Sequence, residues 1–464
     1  MRATAINYHA LVQPDRVHGS LYTDPRIFAA ELERIFYHGW VYVGHVGEVP
    51  EPGDFCTKRI GLQPVLMVRD KNAEVNLFIN RCRHRGAQVC VDERGNLPAL
   101  RCPYHGWTYR LDGSLSGVPF PDAYDGTAFR RDQMGLIKVP RVEQYRGFVF
   151  ASLSPIGITL AQHLGRAAEQ IDRFVAFSSG EEVLVNGGAS KYDLRANWKL
   201  PLENAVDGYH AITLHASYIG LLEERARIAG AADNYKGQFA GSQFAATRDL
   251  GGGHVMLDYW SRMYDALNGE PLPEVRPTTP AGQQHFEELV QRFGHERTEH
   301  SLTQGFTHTV IFPNIALIGV QIRVIQPVSP DYTEVSAYPT RLAWLSDEVN
   351  AARLRGHEAF FGPASFGAPD DLEILERVQK GLAADRLDPW LRFYRGTARE
   401  RRDVDGTTVA ARTDELTQRG IWAQWLEVMS QRPTRKPRAL KDTGSQMTAR
   451  VPAPRQAREP RHDH

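Results

Sequence analysis

The spacing of hydrophobic residues changes several times along the chain. In residues 1–37, the stretch "DPRIFAAELERIFYHGW" places apolar side chains at helical spacing after Asp24 and Pro25, which suit a helix N-cap and first turn. Residues 38–155 carry short β-branched and aromatic runs, such as "GWVYVGHV" and "VNLFIN", between Gly, Pro and Asp turns. This second pattern predicts an all-β module.

Residues 156–430 mix both patterns. Helical spacing appears in "GITLAQHLGRAAEQIDRFV" and "DLEILERVQKGL", whereas "FTHTVIFPNIALIGVQIRVIQPVS" reads as strands. We therefore expect an α+β domain with an antiparallel sheet and surrounding helices, on which the N-terminal helical segment packs. Residues 431–464 are basic, contain several prolines and are poor in apolar residues, which predicts a disordered tail.

Charge and cysteine usage narrow the class of protein. The chain has 464 residues, of which 55 are basic and 55 acidic, and no basic stripe that would recruit nucleic acid or an anionic membrane. It shows neither a signal-peptide core nor an apolar run near the ~18 residues of a membrane span, so we expect a cytoplasmic location. Four cysteines are too few for a disulfide framework and favour reduced thiols with a metal.

Two of these cysteines lie beside histidines in "RCRHRGAQVCVDERGNLPALRCPYHGWTY". The stretch gives Cys82 and His84 on one loop and Cys102 and His105 on another. Structural zinc sites usually pair like ligands on each loop, whereas a Rieske [2Fe–2S] cluster binds one iron through two cysteines and the other through two histidines. One cysteine and one histidine per loop therefore favour the cluster, with a structural zinc as the alternative.

A second group of candidate ligands occurs in "RANWKLPLENAVDGYHAITLHASY". On an ideal helix Asp207 and His210 share a face, but His215 lies about 140° away from His210. Both imidazoles can bind one metal only if the helix is widened, kinked or interrupted. Two histidines and a distant carboxylate would leave open positions on Fe(II) for dioxygen. The stretch "HEAFFGPASFGAPDDLEILERVQKGL" offers Asp370 and Asp371, and composition alone does not choose between a ligand and an N-cap.

The Cys/His stretch resembles the Rieske domain of the ring-hydroxylating oxygenases, a family that includes naphthalene, biphenyl and benzoate dioxygenases. The second stretch is similar to that family's Asn-Trp-Lys and Glu-Asn-x-x-Asp-x-Tyr-His-x₄-His pattern. The resemblance extends from about residue 17 to residue 429. It implies that His210, His215 and Asp371 bind a mononuclear Fe(II), and it leaves Asp370 as a cap or solvent-facing residue.

The same resemblance implies an assembly and an electron supply. In the family, the carboxylate that matches Asp207 links an iron-ligand histidine to a Rieske histidine of a neighbouring subunit, which here would join His210 to His105. Such a bridge requires a head-to-tail homotrimeric core, α3 or, with a small β subunit, α3β3. Electrons come from NAD(P)H through a reductase, with or without a ferredoxin.

The implied activity is hydroxylation of an aromatic ring with dioxygen, by cis-dihydroxylation. The N-terminal segment and "ENAVDGYH" look most like the branch that acts on aromatic carboxylates such as benzoate, salicylate or anthranilate. A carboxylate needs an arginine or paired donors, but Arg323 in "QIRVIQP" is equally explained as part of a buried strand. A monooxygenase or demethylase of the same superfamily and a zinc-stapled interaction protein are the alternatives.

Overall fold

The computed structural model describes residues 6–176, 183–185, 188–228, 246–258, 280–295, 298, 307–342, 347–362 and 364–431. The predicted tail lies outside the described residues, apart from residue 431. Within these ranges the α-helices are α1 (Tyr8–Leu11), α2 (Ser20–Thr23), α3 (Pro25–Glu31), α4 (Leu160–Leu164), α5 (Ala167–Ala176), α6 (Lys199–Asn204), α7 (Ala211–Leu214), α8 (Ala216–Ile228), α9 (Pro280–Phe293), α10 (Asp347–Phe361), α11 (Ala368–Gly381) and α12 (Leu416–Ser430).

The strands of the first half are β1 (Val12–Gln13), β2 (Arg16–His18), β3 (Val41–His45), β4 (Asp54–Ile60), β5 (Gln63–Arg69), β6 (Val75–Ile79), β7 (Arg94–Asn96), β8 (Leu100–Arg101), β9 (Thr108–Tyr109), β10 (Leu115–Gly117), β11 (Arg141–Tyr145) and β12 (Phe148–Ser152). The later strands are β13 (Val183–Leu184), β14 (Ser190–Leu194), β15 (Ala246–Gly251), β16 (His254–Asp258), β17 (Thr307–Ile311), β18 (Ile315–Ile318), β19 (Gln321–Ser329), β20 (Tyr332–Pro339), β21 (Arg341–Leu342), β22 (Trp390–Arg392), β23 (Arg401–Arg402) and β24 (Thr408–Ala411).

Three antiparallel sheets fill residues 41–152, with the strand orders β11-β12-β3, β6-β5-β4-β7 and β10-β9-β8. Apolar side chains from the last two sheets form one core, which includes Phe55, Phe78, Trp107 and Tyr109. The two Cys/His loops lie between β6 and β7 and between β8 and β9. Both Cys/His loops therefore lie against this core.

A nine-stranded antiparallel sheet dominates the second half, in the order β14-β20-β19-β18-β17-β16-β15-β24-β23. Helices of the second half lie against it, and α12 packs on β15 and β16. This combination of antiparallel sheets and helices confirms the predicted α+β class. Within the described ranges, no helix combines the length and apolar character needed to cross a membrane.

The N-terminal segment forms the predicted helix, since the Asp24 side chain accepts a hydrogen bond from the Arg26 amide at the start of α3. The helix continues beyond α3 as a π-helix over Leu32–Phe36. Its buried Glu31 accepts hydrogen bonds from Lys199 Nζ at 2.7 Å and from Trp425 Nε1 at 2.7 Å. A buried carboxylate needs such a paired cation and donors, so this contact joins α3, α6 and α12.

A second buried carboxylate holds the other end of α6. The Glu203 side chain accepts hydrogen bonds from the Tyr22 hydroxyl at 2.7 Å and from Trp422 Nε1 at 3.0 Å. Burial raises the pKa of Glu203 to about 8. Helix α6 is thus fixed at both ends by the N-terminal segment and α12, and it leads directly into the histidine segment.

Candidate metal centres

The two Cys/His loops have the same backbone geometry. In each, the amide of Cys82 or Cys102 donates to the carbonyl five residues later at 2.8 Å, and the amide four residues later donates back to the cysteine carbonyl at 3.1 Å. That fourth residue is Gly86 or Gly106, with φ of 80° and 70°. Glycine suits these positions because other residues rarely adopt positive φ. The two loops therefore share one backbone frame, although His84 follows its cysteine by two residues and His105 by three.

The loops place their thiols and imidazoles at different depths. Cys82 and Cys102 are buried, whereas His105 is half-buried and His84 exposed, with the imidazole centroids 4.6 Å apart. Burial, with the adjacent Cys82 thiol, raises the pKa of Cys102 above its ordinary value. A bound metal would hold both thiols deprotonated. Two buried sulfurs below two outward imidazoles fit the ligand requirement of a Rieske cluster.

A tyrosine next to this ligand group was not singled out from the sequence. The Tyr109 hydroxyl lies 3.2 Å from Cys82 Sγ and accepts a hydrogen bond from the Arg83 amide at 3.1 Å. Because the oxygen already accepts from Arg83, its own proton is available for the sulfur. Hydrogen bonds to ligand sulfur are one of the factors that set the potential of such clusters.

The second candidate centre depends on an interrupted helix, as the spacing of its histidines predicted. Helix α6 ends at Asn204, and a non-helical stretch precedes α7, which His210 and His215 flank. His215 ends α7 with φ −94° and ψ 27°, so α7 and α8 are not continuous. The two imidazole centroids consequently lie 5.3 Å apart. Residues 207–210 are not helical, yet Asp207 and His210 still lie side by side.

The first turn of α11 brings Asp371 between the two imidazoles. Its Oδ1 lies 3.5 Å from His210 Nε2 and 3.4 Å from His215 Nε2, and the three candidate ligand atoms lie within 4.8 Å of one another. The Asn204 side-chain amide also donates to Asp371 Oδ1 at 3.2 Å, a contact that sequence reasoning did not identify. The geometry therefore brings together the three residues predicted as Fe(II) ligands.

The electrostatics of this centre favour a cation. Burial alone would raise the pKa of Asp371, but the two imidazoles hold it well below its usual range. Burial would likewise lower the pKa of His210, yet the carboxylates of Asp207 and Asp371 raise it to about 9. A divalent metal ion can replace the proton that this site attracts. Two imidazoles and one carboxylate are the donors of a non-haem Fe(II) site.

Each imidazole also has a carboxylate near its outer nitrogen. Asp207 Oδ2 lies 3.5 Å from His210 Nδ1, while Asp370 Oδ2 lies 3.6 Å from His215 Nδ1. Of the two roles expected for Asp370, cap or solvent-facing residue, the cap was wrong, because the N-cap of α11 is Gly367 and has no side-chain cap bond. Asp370 is only partly exposed and its Oδ2 is buried. Such outer carboxylates typically fix the orientation of ligand histidines.

Comparison with known proteins agrees with these two centres. The family described as "Rieske [2Fe-2S] domain" matches residues 39–144, and "Ring hydroxylating alpha subunit (catalytic domain)" matches residues 182–419. The 2-halobenzoate 1,2-dioxygenase large subunit of Burkholderia cepacia is 34% identical over 412 residues, covering 85% of this chain and 81% of that protein. The anthranilate 1,2-dioxygenase large subunit of Acinetobacter baylyi is 33% identical over 392 residues, covering 82% and 80%.

The crystal structure of naphthalene 1,2-dioxygenase from Rhodococcus sp. bound to indole has a similar fold. Its TM-score is 0.77 at 28% identity, covering 89% of this chain and 94% of the other. The present protein thus carries both a Rieske-type ligand set and a group of two histidines and one carboxylate in a single chain, with the fold of one family. We conclude that the chain belongs to the ring-hydroxylating oxygenases and is an α subunit with a Rieske domain and a catalytic domain.

Proposed function

We propose that this α subunit is the terminal oxygenase component that hydroxylates the ring of an aromatic carboxylate by cis-dihydroxylation. The observation that carries the proposal is the convergence of His210, His215 and Asp371 in a chain that also carries two Cys/His loops. The relatives that act on halobenzoate and anthranilate support the aromatic-acid branch.

The ligand roles follow from the donor chemistry. Cys82, His84, Cys102 and His105 would hold the [2Fe–2S] cluster in a Rieske domain that we place at residues 38–155. His210, His215 and Asp371 would hold Fe(II) in a catalytic domain at residues 156–430. When bound, the cluster supplies single electrons and the Fe(II) activates dioxygen.

The protein side chains prepare the site for this chemistry. Asp207 and Asp370 orient the two imidazoles through their outer nitrogens, which leaves both Nε2 atoms directed at the metal position. The half-buried Phe360 ring lies 5.0 Å from the His215 ring and 5.0 Å from the Tyr218 ring. These aromatic groups form an apolar surface beside the ligands, which suits an aromatic ring.

The electron path would cross between subunits. No hydrogen bond, ion pair or ring contact within the described ranges joins the Cys/His loops to Asp207 or His210. A head-to-tail trimer would bring the outward His105 of one subunit to Asp207 of the next, which then bridges to His210. The core would be α3, or α3β3 with a small β subunit, and electrons would come from NAD(P)H through a reductase, with or without a ferredoxin.

Metal analysis and isotope labelling test the proposal. Purified holoenzyme should contain acid-labile sulfide and iron in the ratio of one [2Fe–2S] cluster and one further iron per chain. With a suitable reductase, ¹⁸O₂ and a panel of aromatic acids, the product should be a cis-diol that carries two labelled oxygens. A product with one labelled oxygen, or a demethylated product, would instead assign a monooxygenase or demethylase. Zinc without labile sulfide would refute the cluster.

A further inference from the structure

Arg323 lies on an interior strand of the nine-stranded sheet, beside small residues. It occupies β19, and its cross-strand partners are Ala316 on β18 and Ala337 on β20. Directly opposed residues share one face of a sheet, so the arginine side chain lies between the methyl groups of the two alanines. Neither alanine side chain can offer a polar partner to the guanidinium.

The side chain of Arg323 extends toward the proposed iron site. Its guanidinium carbon lies 5.4 Å from the centroid of the Phe361 ring, and the Phe361 and Phe360 centroids are 4.6 Å apart. Phe360 in turn contacts the ring of His215. Two aromatic rings therefore connect the guanidinium to a candidate iron ligand.

An electrostatic effect at Tyr192 agrees with this location. Burial raises the pKa of the Tyr192 hydroxyl. The positive charge of Arg323 lowers this pKa, and the negative charge of Asp371 raises it. Both charged groups thus act on the same half-buried phenol. The guanidinium belongs to the surroundings of the catalytic site and not to a remote part of the sheet.

Among the described residues, no anion pairs with the guanidinium. Arg323 is only 5% exposed, its Nε is buried without a hydrogen-bond partner, and within the described ranges no hydrogen bond or ion pair reaches this side chain. A buried cation without a counter-ion is costly to desolvate. Arg248 of β15 shows the usual arrangement in the same sheet, since it contacts Asp403 at 2.6 Å and Asp258 at 3.3 Å.

A second unpaired donor lies on the same face. Gln321 is two residues before Arg323 in β19 and is completely buried. Its Oε1 lies 3.1 Å from His357 Nε2, while its Nε2 is buried with no hydrogen-bond partner in the described part of the chain. An arginine fork and an amide two residues away on the same strand face provide several donors, which matches a carboxylate.

We propose that Arg323, assisted by Gln321, binds the carboxylate of the aromatic substrate and so selects acids over neutral arenes. This inference rests on the proposed oxygenase function and names its substrate class. The aromatic ring of the substrate would lie along Phe360 and Phe361, between the carboxylate anchor and the iron ligands. The bound anion supplies the counter-charge that Arg323 lacks among the described residues.

Equilibrium binding to the anaerobic holoenzyme tests the inference directly. The probes are benzoate, salicylate and anthranilate, each paired with its neutral amide, and the variants are Arg323→Met and Arg323→Lys. Loss of charge-assisted hydrogen bonds should raise the Kd of the preferred acid about 10- to 150-fold in Arg323→Met, while binding of its amide changes little. Arg323→Lys should retain part of the preference for the acid.

Thermal unfolding provides a second measurement with a matched control. Arg323→Met should not lower the midpoint, because no described partner loses its counter-ion, whereas Arg248→Met should lower it, because it removes the cation beside Asp258 and Asp403. Equal binding of the acid by wild type and Arg323→Met would overturn the inference and leave the oxygenase function intact. Equal loss of acid and amide, with a lower unfolding midpoint, would assign Arg323 a structural role and also overturn it.

Measurements on the wild-type protein show whether the proposed substrate class of the oxygenase is itself wrong. If it binds none of the acids but oxidises a neutral arene, the proposed substrate class is wrong and the inference falls with it.

Discussion

The two outer carboxylates offer a controlled test of electron transfer between subunits. Asp207 and Asp370 stand at nearly equal distances from the outer nitrogen of a candidate iron ligand, 3.5 and 3.6 Å, and have similar side-chain exposure, 31% and 34%. Their local effects on the imidazoles should therefore be similar. Only Asp207 is proposed to reach His105 of a neighbouring subunit.

Replacing either carboxylate with alanine should weaken iron binding by a comparable amount. Loss of such a contact typically costs 10- to 100-fold in metal affinity or activity, which corresponds to ~1.4–2.7 kcal/mol. With excess Fe(II) to restore occupancy, Asp370→Ala should recover most of its turnover. Asp207→Ala should retain both metals yet pass electrons from the cluster more than about 100-fold more slowly, because the broken path adds to the local effect.

Stopped-flow spectroscopy can separate the two steps. After reduction, the cluster absorbance is followed on mixing iron-loaded enzyme with substrate and dioxygen, and product is quantified from the same samples. Asp207→Asn is a further control, since its side-chain oxygen can still accept the 2.6 Å hydrogen bond from the Tyr209 amide. If that turn contact were the only role of Asp207, Asn would behave like wild type and Ala would lose only about 1 kcal/mol of stability.

The bridge would be refuted if Asp207→Ala reoxidised at a near wild-type rate with coupled product formation. Equal slowing in Asp207→Ala and Asp370→Ala would refute it as well, since a purely local effect would then explain both. Either result would also remove the main argument for a head-to-tail trimer.

Further substitutions should separate the roles of the two metal centres and the buried network. Asp371→Ala should lose mononuclear iron and all oxygenation but keep the Rieske absorbance, because two imidazoles alone bind Fe(II) weakly; metal analysis and visible spectra check this. Cys102→Ser should do the reverse, and a normal reddish-brown spectrum would contradict its assignment as a cluster ligand. Tyr109→Phe should lower the cluster potential by roughly 60 mV in a spectroelectrochemical titration, equivalent to ~1.4 kcal/mol, and an unchanged potential would exclude donation to Cys82. The pKa of Glu203 is raised by burial from 4.5 to about 8, so its contribution to stability is present below pH 4.5 and lost as pH rises through 8; urea titrations should show a flatter pH profile for Glu203→Gln, and parallel profiles would refute this.

Short-range spacing allowed much of the architecture to be predicted from the sequence. Each Cys/His loop is closed by hydrogen bonds within six consecutive residues, one of which is a glycine with positive φ, so a short local sequence determines its conformation. The five-residue interval between His210 and His215 likewise predicted an interrupted helix, because a regular helix separates those imidazoles. Alternation of apolar residues predicted an α+β fold for the same reason, since periodicity is a local property of each element.

Long-range packing decided what spacing could not. Asp370 and Asp371 are adjacent and have the same side chain. Only the packing of α11 against the histidine segment places Asp371 between the two Nε2 atoms and Asp370 beside Nδ1 of His215. Arg323 reads from the sequence as part of a buried strand, and its lack of a partner among the described residues becomes visible only once the surrounding strands and α10 are in place. The charge of a side chain is known from the sequence alone. Whether that charge is paired, buried or directed at a ligand depends on residues far away along the chain.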